Sequence, residues 1–503
     1  MRRRAARGAI LARLARQRAA YLGKTMQRRT KIVATLGPAC TDPKVLDRMI
    51  EAGVDVVRLN FSHGSAEEHA QRADLVRSLA KTRGRAVGVL VDLQGPKIRI
   101  GKFKDGKIVL NHGDKFILDA ECELGDQERV GLDYTDLVYD VSRGSTLLLD
   151  DGRIEMWVED VQGTQVICKV VQGGVLSNNK GINRKGGGLS ASALTDKDIE
   201  DIKTAAMLKA DYLAISFPRS AEDVQQARDI LHEHGGRAWI VAKIERAEAV
   251  ENLESIVKAA DVIMVARGDL GVEVGDAAVP SLQKRMIRLA RKHNKLAITA
   301  TQMMESMINS PIPTRAEVSD VANAVLDGTD AVMLSAETAV GEFPIETIAA
   351  MNRICVEAEK EVEVSNFSEF HSNEGILRVD EAIAKSAAYT ALNLNVKAVA
   401  AMTQSGSTAL WMSRISTHVP IYALTPEVET RRKVTLFRGV YPVNFKPSSH
   451  DRDQLLAEAQ DELRRRGAVR NGDLILLTIG EPIGRSGGTN TMKIVRIGER
   501  KIT

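Results

Sequence analysis

Cysteine is scarce in this 503-residue sequence: Cys40, Cys122, Cys168 and Cys355 lie far apart, with no CxxC and no paired histidines. That spacing excludes a disulfide framework and a zinc site, and it fits a reducing, cytoplasmic location. Long apolar runs are also missing. None approaches roughly 18 residues, and the longest, such as ILLTI near the C-terminus, are strand-length, so no membrane span is expected. A third absence is local, because no acidic residue precedes Asp42. The first 25 residues carry eight Lys or Arg, and without them the net charge of +4 becomes about −4. The basic character therefore belongs to residues 1–25. They read as a solvated or artefactual extension, an Arg-rich targeting peptide, or an arm for nucleic acid or membrane, and they are set aside from the fold. For the rest of the chain neither nucleic acid nor membrane is expected as a partner.

What is present is a globular composition, 44% hydrophobic with 27% charge, in a chain long enough for two to four domains. From residue 31 onward, short apolar runs recur, each followed by a polar or glycine turn and a helical pattern. There are eight: KIVATL (31–36), VDVVRLN (54–60), AVGVLVD (86–92), DYLAIS (211–216), AWIVAK (238–243), DVIMVA (261–266), LAITAT (296–301) and DAVMLS (330–335). Near-continuous apolar strands alternating with helices predict a parallel sheet covered on both sides, and eight such units match an α/β fold of the (β/α)8 TIM-barrel class over residues 26–96 and 189–360. An open doubly wound sheet is the alternative.

More than about 110 residues separate the third run from the fourth, too many for a loop, so residues 97–188 form a domain of their own. Short alternating segments with DG and QGT turns predict a small antiparallel β-barrel or sandwich there. It leaves the barrel from the end of a strand, where barrel active sites are built, so it is placed as a lid over the mouth. After an acidic polar stretch, residues 361–503 return to an alternating αβ pattern and predict a C-terminal parallel α/β domain.

At the mouth, period-two alternation selects the side chains that face the site. Arg58, Asn60 and Ser62 share one face on the second strand, Lys243 and Glu245 on the fifth, and Ser335 and Glu337 on the eighth. Asp92 ends the third strand, Asp269 follows the sixth in ARGDLG, and Thr301 ends the seventh. A pair of carboxylates, Glu245 and Asp269, suits a hard divalent cation such as Mg2+. With Arg58 and Lys243 beside it, the set is suited to a multiply anionic substrate whose phosphoryl oxygens develop charge. Backbone N–H groups near Gly268 open a helix and could take a carboxylate or phosphate. The GKT at residues 23–25 is not a Walker motif, because Arg18 stands where its first glycine belongs. His232 and His234 read as surface residues. In the C-terminal domain TQSGST (403–408) and GEPIGRSGGTNT (480–491) combine hydroxyls, glycines and a helix start into a phosphate nest, read as a regulatory site.

These motifs together resemble pyruvate kinase from about Met26 to the C-terminus: KIVATLGPA, VVRLNFSHG, GPKIR, NNKGIN, AKIE, VARGDLGVE, TATQMMESM and PTRAEVSDVANAVLDGTDAVMLSAETAVGEFP occur in order. The resemblance implies phosphoryl transfer from phosphoenolpyruvate to ADP with Mg2+ or Mn2+, and a homotetramer. It makes Lys243 the transition-state stabiliser, Glu245 and Asp269 the Mg2+ ligands, and Arg58 a substrate-phosphate contact. Gly268, Asp269 and Thr301 then surround the carboxylate and enolate, with Thr301 on a proton route through the Ser335 and Glu337 network. Arg99, Lys180 and His63 become nucleotide contacts. Asn60, Ser62, Asp92 and the Leu93 carbonyl match the family's potassium ligands, but Lys97 replaces the glutamate of potassium-dependent members, so potassium is not expected to be required. Thr403, Ser405, Gly406, Ser407 and Thr408 become the effector site, for AMP or a sugar monophosphate rather than fructose bisphosphate. The rival readings are a metal-dependent enolate lyase or aldolase on the same barrel and a non-catalytic effector-binding protein.

Overall fold

The computed structural model describes residues 28–361, 378–415, 417–449, 451–482 and 488–499. The basic segment 1–25 lies outside these, as do parts of the acidic stretch and of the 480–491 loop. The barrel strands are β1 (Lys31–Leu36), β2 (Val56–Asn60), β3 (Gly88–Asp92), β4 (Tyr212–Ile215), β5 (Trp239–Ile244), β6 (Val262–Ala266), β7 (Leu296–Ala300) and β8 (Ala331–Leu334). All are parallel and each pairs with its sequence neighbour; β1 also pairs with β8, with Lys31 opposite Ala331, which closes the barrel.

Alternation along each strand divides the apolar residues between two cores. Ile32 and Ala34 of β1 pack outward under the helices, while Val33 faces the barrel interior with Val56, Leu90, Val241 and Ile298. The interior cluster runs on through the barrel floor into the C-terminal domain, where Phe437 stacks on Trp239 with ring centroids 5.3 Å apart. Helix starts are fixed by capping boxes such as Ser65 with Glu68 and Thr314 with Glu317.

The inserted segment takes the sandwich-like of its two expected forms. It comprises a six-stranded sheet and a separate pair, Lys107–Leu110 against Gly174–Ser177, that share one core around Phe116, Leu147, Met156 and Val170. Bulges between Glu155 and Met156 and between Val158 and Asp160 bend the long hairpin, and the edge strand Arg129–Val130 runs parallel to Lys115–Asp119. Its ends converge on an open cleft between lid and barrel, lined by Lys97, Ile182, Asn183, Phe217, Arg246 and Asp269.

The C-terminal sheet contains β9 (Ala398–Met402), β10 (Ile421–Thr425), β11 (Val440–Asn444), β12 (Leu474–Gly480) and β13 (Thr489–Arg496) in the order β11-β10-β9-β12-β13. It is parallel except for β13, which folds back antiparallel on β12. Among the described residues no helix is long and apolar enough to cross a membrane.

Candidate active site

The mouth brings together residues that are far apart in the sequence. Lys243, near the end of β5, places its ammonium 2.9 Å from Glu245 and 3.5 Å from Asp92 Oδ1, and donates to Ser216 Oγ at 2.7 Å. Arg58 on β2 donates to Asp92 Oδ2 from both Nε and Nη2 at 2.6 Å, and to Thr35 Oγ1 at 3.1 Å. Asp92 is 1% exposed and so lies between two fixed cations. Burial opposes the charge on Lys243, but Asp92 and Glu245 outweigh it, and the ammonium is held above its ordinary value. Burial pushes the Glu245 carboxyl up to about 7; the Lys243 charge pulls back, and that of Asp269 pushes the same way as burial.

Two residues here escaped the strand-end reading. Ser216, just past β4, accepts from Lys243 and donates to the Leu93 carbonyl at 2.8 Å. Thr35 on β1 ties Arg58 to the barrel and itself donates to Leu334 O at 2.8 Å. Both sit where the period-two rule applies, and DYLAIS and KIVATL carried the signal. Gly95 has φ +69°, and a Cβ there would lie 2.6 Å from that of Ser216, so the loop after β3 needs glycine to leave Ser216 in place.

Thr301 follows β7 with φ +72°, a strained conformation for a β-branched residue. Arg267 holds it, donating to Thr301 O at 2.6 Å and Ala300 O at 3.0 Å while paired with Asp320 at 2.7 Å. A Cβ on Gly268 would approach Thr301 Cγ2 to 2.9 Å, which places the two in contact. The helix Arg267–Val274 has no side-chain cap, so its first-turn N–H groups beside Gly268 and Asp269 are open to an anion. Glu337, expected on the proton route, accepts the backbone N–H groups of Met304 at 3.1 Å and Ser335 at 2.6 Å and fastens two loops together.

Asn60 is the register partner of Asp92, and its side chain accepts the Ser62 N–H at 3.2 Å. Leu93 is buried with its carbonyl bound by Ser216. Lys97 lines the lid cleft together with Asp269. Arg99 and Lys180 lie on adjacent lid segments, joined where Arg99 bridges Gly181; the Lys180 ammonium pairs with Asp150 at 2.6 Å. His63 is exposed at the start of the loop after β2.

No group of three or more His, Cys, Asp or Glu side chains stands ready for a metal among the described residues. Two carboxylates remain, Glu245 and Asp269; they repel each other, and Asp269 accepts no side-chain hydrogen bond among the described residues. That donor set fits a hard divalent cation completed by water and substrate oxygens.

In the C-terminal domain Gly406, at φ +89°, caps the helix Ser407–Arg414, and its N–H bonds Thr403 Oγ1 at 2.9 Å. Ser405 and Ser407 share a hydrogen bond at 3.1 Å on the open side. Thr408 does not join them: it is 2% exposed, and its hydroxyl bonds Thr489 at 2.8 Å inside the domain.

The family profile described as "Pyruvate kinase, barrel domain" matches residues 27–348. The chain belongs to the pyruvate kinase family. A second profile, "Pyruvate kinase, alpha/beta domain", matches residues 381–495. Pyruvate kinase II of Salmonella typhimurium is 54% identical over 476 residues, covering 93% of this chain and 99% of that one. The pyruvate kinase of Haemophilus influenzae is 52% identical over 459 residues, covering 90% and 96%. A solved pyruvate kinase from Cryptosporidium parvum superposes with a TM-score of 0.88 at 36% identity, covering 93% and 96%. As a pyruvate kinase the chain is a phosphotransferase, and the family depends on a divalent metal.

Proposed function

We propose that this pyruvate kinase transfers the phosphoryl group of phosphoenolpyruvate to ADP at the barrel mouth, giving pyruvate and ATP. The observation that carries the residue assignment is the Lys243 ammonium, held between Asp92 and Glu245 beside the Arg58 guanidinium. Two cations fixed by buried carboxylates need no reorganisation when charge moves onto the transferring phosphoryl oxygens, and such preorganisation is the main resource in phosphoryl transfer. Arg58 binds the substrate phosphate and Lys243 stabilises the transition state. The helix start at Gly268 and Asp269 receives the carboxylate. Glu245 and Asp269 would hold Mg2+ or Mn2+, which when bound neutralises phosphoryl and enolate oxygens. Breaking the P–O bond leaves the enolate of pyruvate, whose methylene carbon takes a proton from the Thr301 side. Arg99, Lys180 and His63 contact the nucleotide as the lid closes.

The remaining assignments follow the same reading. Lys97 beside Asp269 in the cleft supplies a positive charge where potassium would otherwise act, so the enzyme is potassium-independent. Thr403, Ser405, Gly406 and Ser407 bind a phosphorylated effector, and Thr408 supports the nest from behind through Thr489. Exposed Ile312 and Val340, at 69% and 59%, support subunit contacts in a homotetramer.

Coupled assays of pyruvate and ATP formation from phosphoenolpyruvate and ADP test the reaction: equal yields that vanish on chelating divalent metal support it, and absence of ATP overturns it. Rates equal in potassium-free and potassium-rich buffer support the Lys97 assignment. A many-fold stimulation contradicts it.

A further inference from the structure

The loop after β2 presents Asn60, Ser62 and His63, yet its backbone is gripped by side chains that play no part in the reaction above. Two of its carbonyls are bound from outside. Lys197, on the helix Asp196–Met207, donates to Phe61 O at 2.8 Å and pairs with Asp201 at 2.5 Å. His69, early in the helix Ala66–Thr82, lies with Nε2 2.9 Å from His63 O. A carbonyl only accepts, so Nε2 carries the hydrogen. The same imidazole stacks on Phe61, with centroids 4.2 Å apart and planes 15° from parallel. The residue is 2% exposed, and its Nδ1 is buried without a partner.

A buried histidine with one nitrogen unsatisfied is a cost that a purely structural position would shed, since an apolar ring would fill the space. The Nε2–H to His63 is what the imidazole adds. Burial lowers the imidazole below its ordinary value, with Arg72 acting the same way and the His63 bond, Asp201 and Glu68 opposing it. The Nε2 hydrogen is present in this tautomer and in the protonated ring alike, so the bond to the His63 carbonyl holds in either state.

We propose that His69 is a positioning residue for nucleotide binding: through the His63 carbonyl and the Phe61 ring it sets the loop that presents His63 to ADP, with Lys197 as its second anchor. This rests on the reading of His63 as a nucleotide contact. It gives the loop a defined place without a ladder of backbone bonds, which a nucleotide-binding edge needs when a lid closes over it.

Steady-state kinetics and calorimetric titration of ADP with Mg2+ into the full chain test it. His69→Phe keeps a ring to stack on Phe61 and removes the donor. It should raise KM and Kd for ADP about tenfold while KM for phosphoenolpyruvate stays within about twofold. His69→Gln, which retains an N–H donor, should recover part of the loss. Lys197→Met, at a half-exposed side chain whose loss does not threaten folding, should move KM for ADP in the same direction. If His69→Phe and Lys197→Met leave ADP binding unchanged while His63→Ala weakens it, the proposal is wrong and the nucleotide reading stands. If His63→Ala is also silent, the nucleotide reading itself fails. Equal changes for both substrates would reduce His69 to a packing role and overturn the proposal. If His69→Phe does not fold, Lys197→Met decides alone.

Discussion

At the floor of the barrel four aspartates precede the even-numbered strands, and each accepts a backbone N–H from the odd-numbered strand before it. Asp55 binds Ile32 N at 2.9 Å, Asp211 binds Val89 N at 2.9 Å, Asp261 binds Ile240 N at 2.9 Å and Asp330 binds Ala297 N at 3.0 Å. Each also has a guanidinium: Arg28 and Arg85 on Asp55, Arg432 on Asp211, Arg228 on Asp261 and Arg414 on Asp330. Arg414 and Arg432 come from the C-terminal domain, so half of this repeated motif is completed only when that domain docks. At the mouth the same residue types are left unfinished. Asp92 Oδ1 is buried with no hydrogen bond, only the Lys243 ammonium 3.5 Å away, and Asp269 accepts no side-chain bond among the described residues. Saturated charges hold the fold together, whereas the carboxylates at the mouth are the ones proposed to meet substrate and metal.

The largest effect that would sharpen this contrast lies at the floor. Arg414 and Asp330 are 4% and 1% exposed, and Arg414→Met strands a buried carboxylate. The expected loss is about 3 to 5 kcal/mol of stability, read in denaturant unfolding, with kcat of the folded enzyme near normal. A kcat that collapsed while stability held would break the division between the two ends.

Next in size is a pH effect, also at the floor. Burial lowers the Lys31 ammonium, which donates to Val440 O at 2.6 Å, from 10.5 to about 8. Its folded value lies below its unfolded one, so between about pH 8 and 10.5 the unfolded chain binds more protons and stability rises with pH. The gain is roughly 3 kcal/mol at most, and it should be missing from Lys31→Met. Parallel stability curves for the two proteins would contradict it.

A smaller effect returns to the mouth. Ser216→Ala removes the hydroxyl shared by Lys243 and Leu93 and should lower kcat about tenfold, with unfolding unchanged. Unaltered kcat would make Ser216 a packing residue.

How much of this was legible in the sequence depends on distance along the chain. The eight barrel strands were readable because their apolar runs end in polar residues at one fixed place, and Lys243, Glu245, Asp269 and Thr301 were readable from the same rule. Ser216 and Thr35 obey that rule too, but a single hydroxyl is a weak signal until Lys243 and Arg58 are brought within reach from other strands. The floor motif is written four times, in VDV, ADY, ADV and TDA, yet its partners Arg414 and Arg432 lie up to 221 residues away. Alternation in the lid is compatible with a barrel or a sandwich, and it reveals neither the choice of two sheets nor the bulges in the long hairpin. Thr408 was grouped with its hydroxyl neighbours, but the turn at Gly406 rotates it inward onto Thr489.

The central claim is that the cations fixed in advance at the mouth do the chemistry, and the turnover of Lys243→Met tests it most directly. With the variant folded as the parent, ATP formation from phosphoenolpyruvate and ADP should fall about a thousandfold, the loss of one preorganised cation at the transferring phosphoryl. Turnover within a fewfold of the parent would contradict the account.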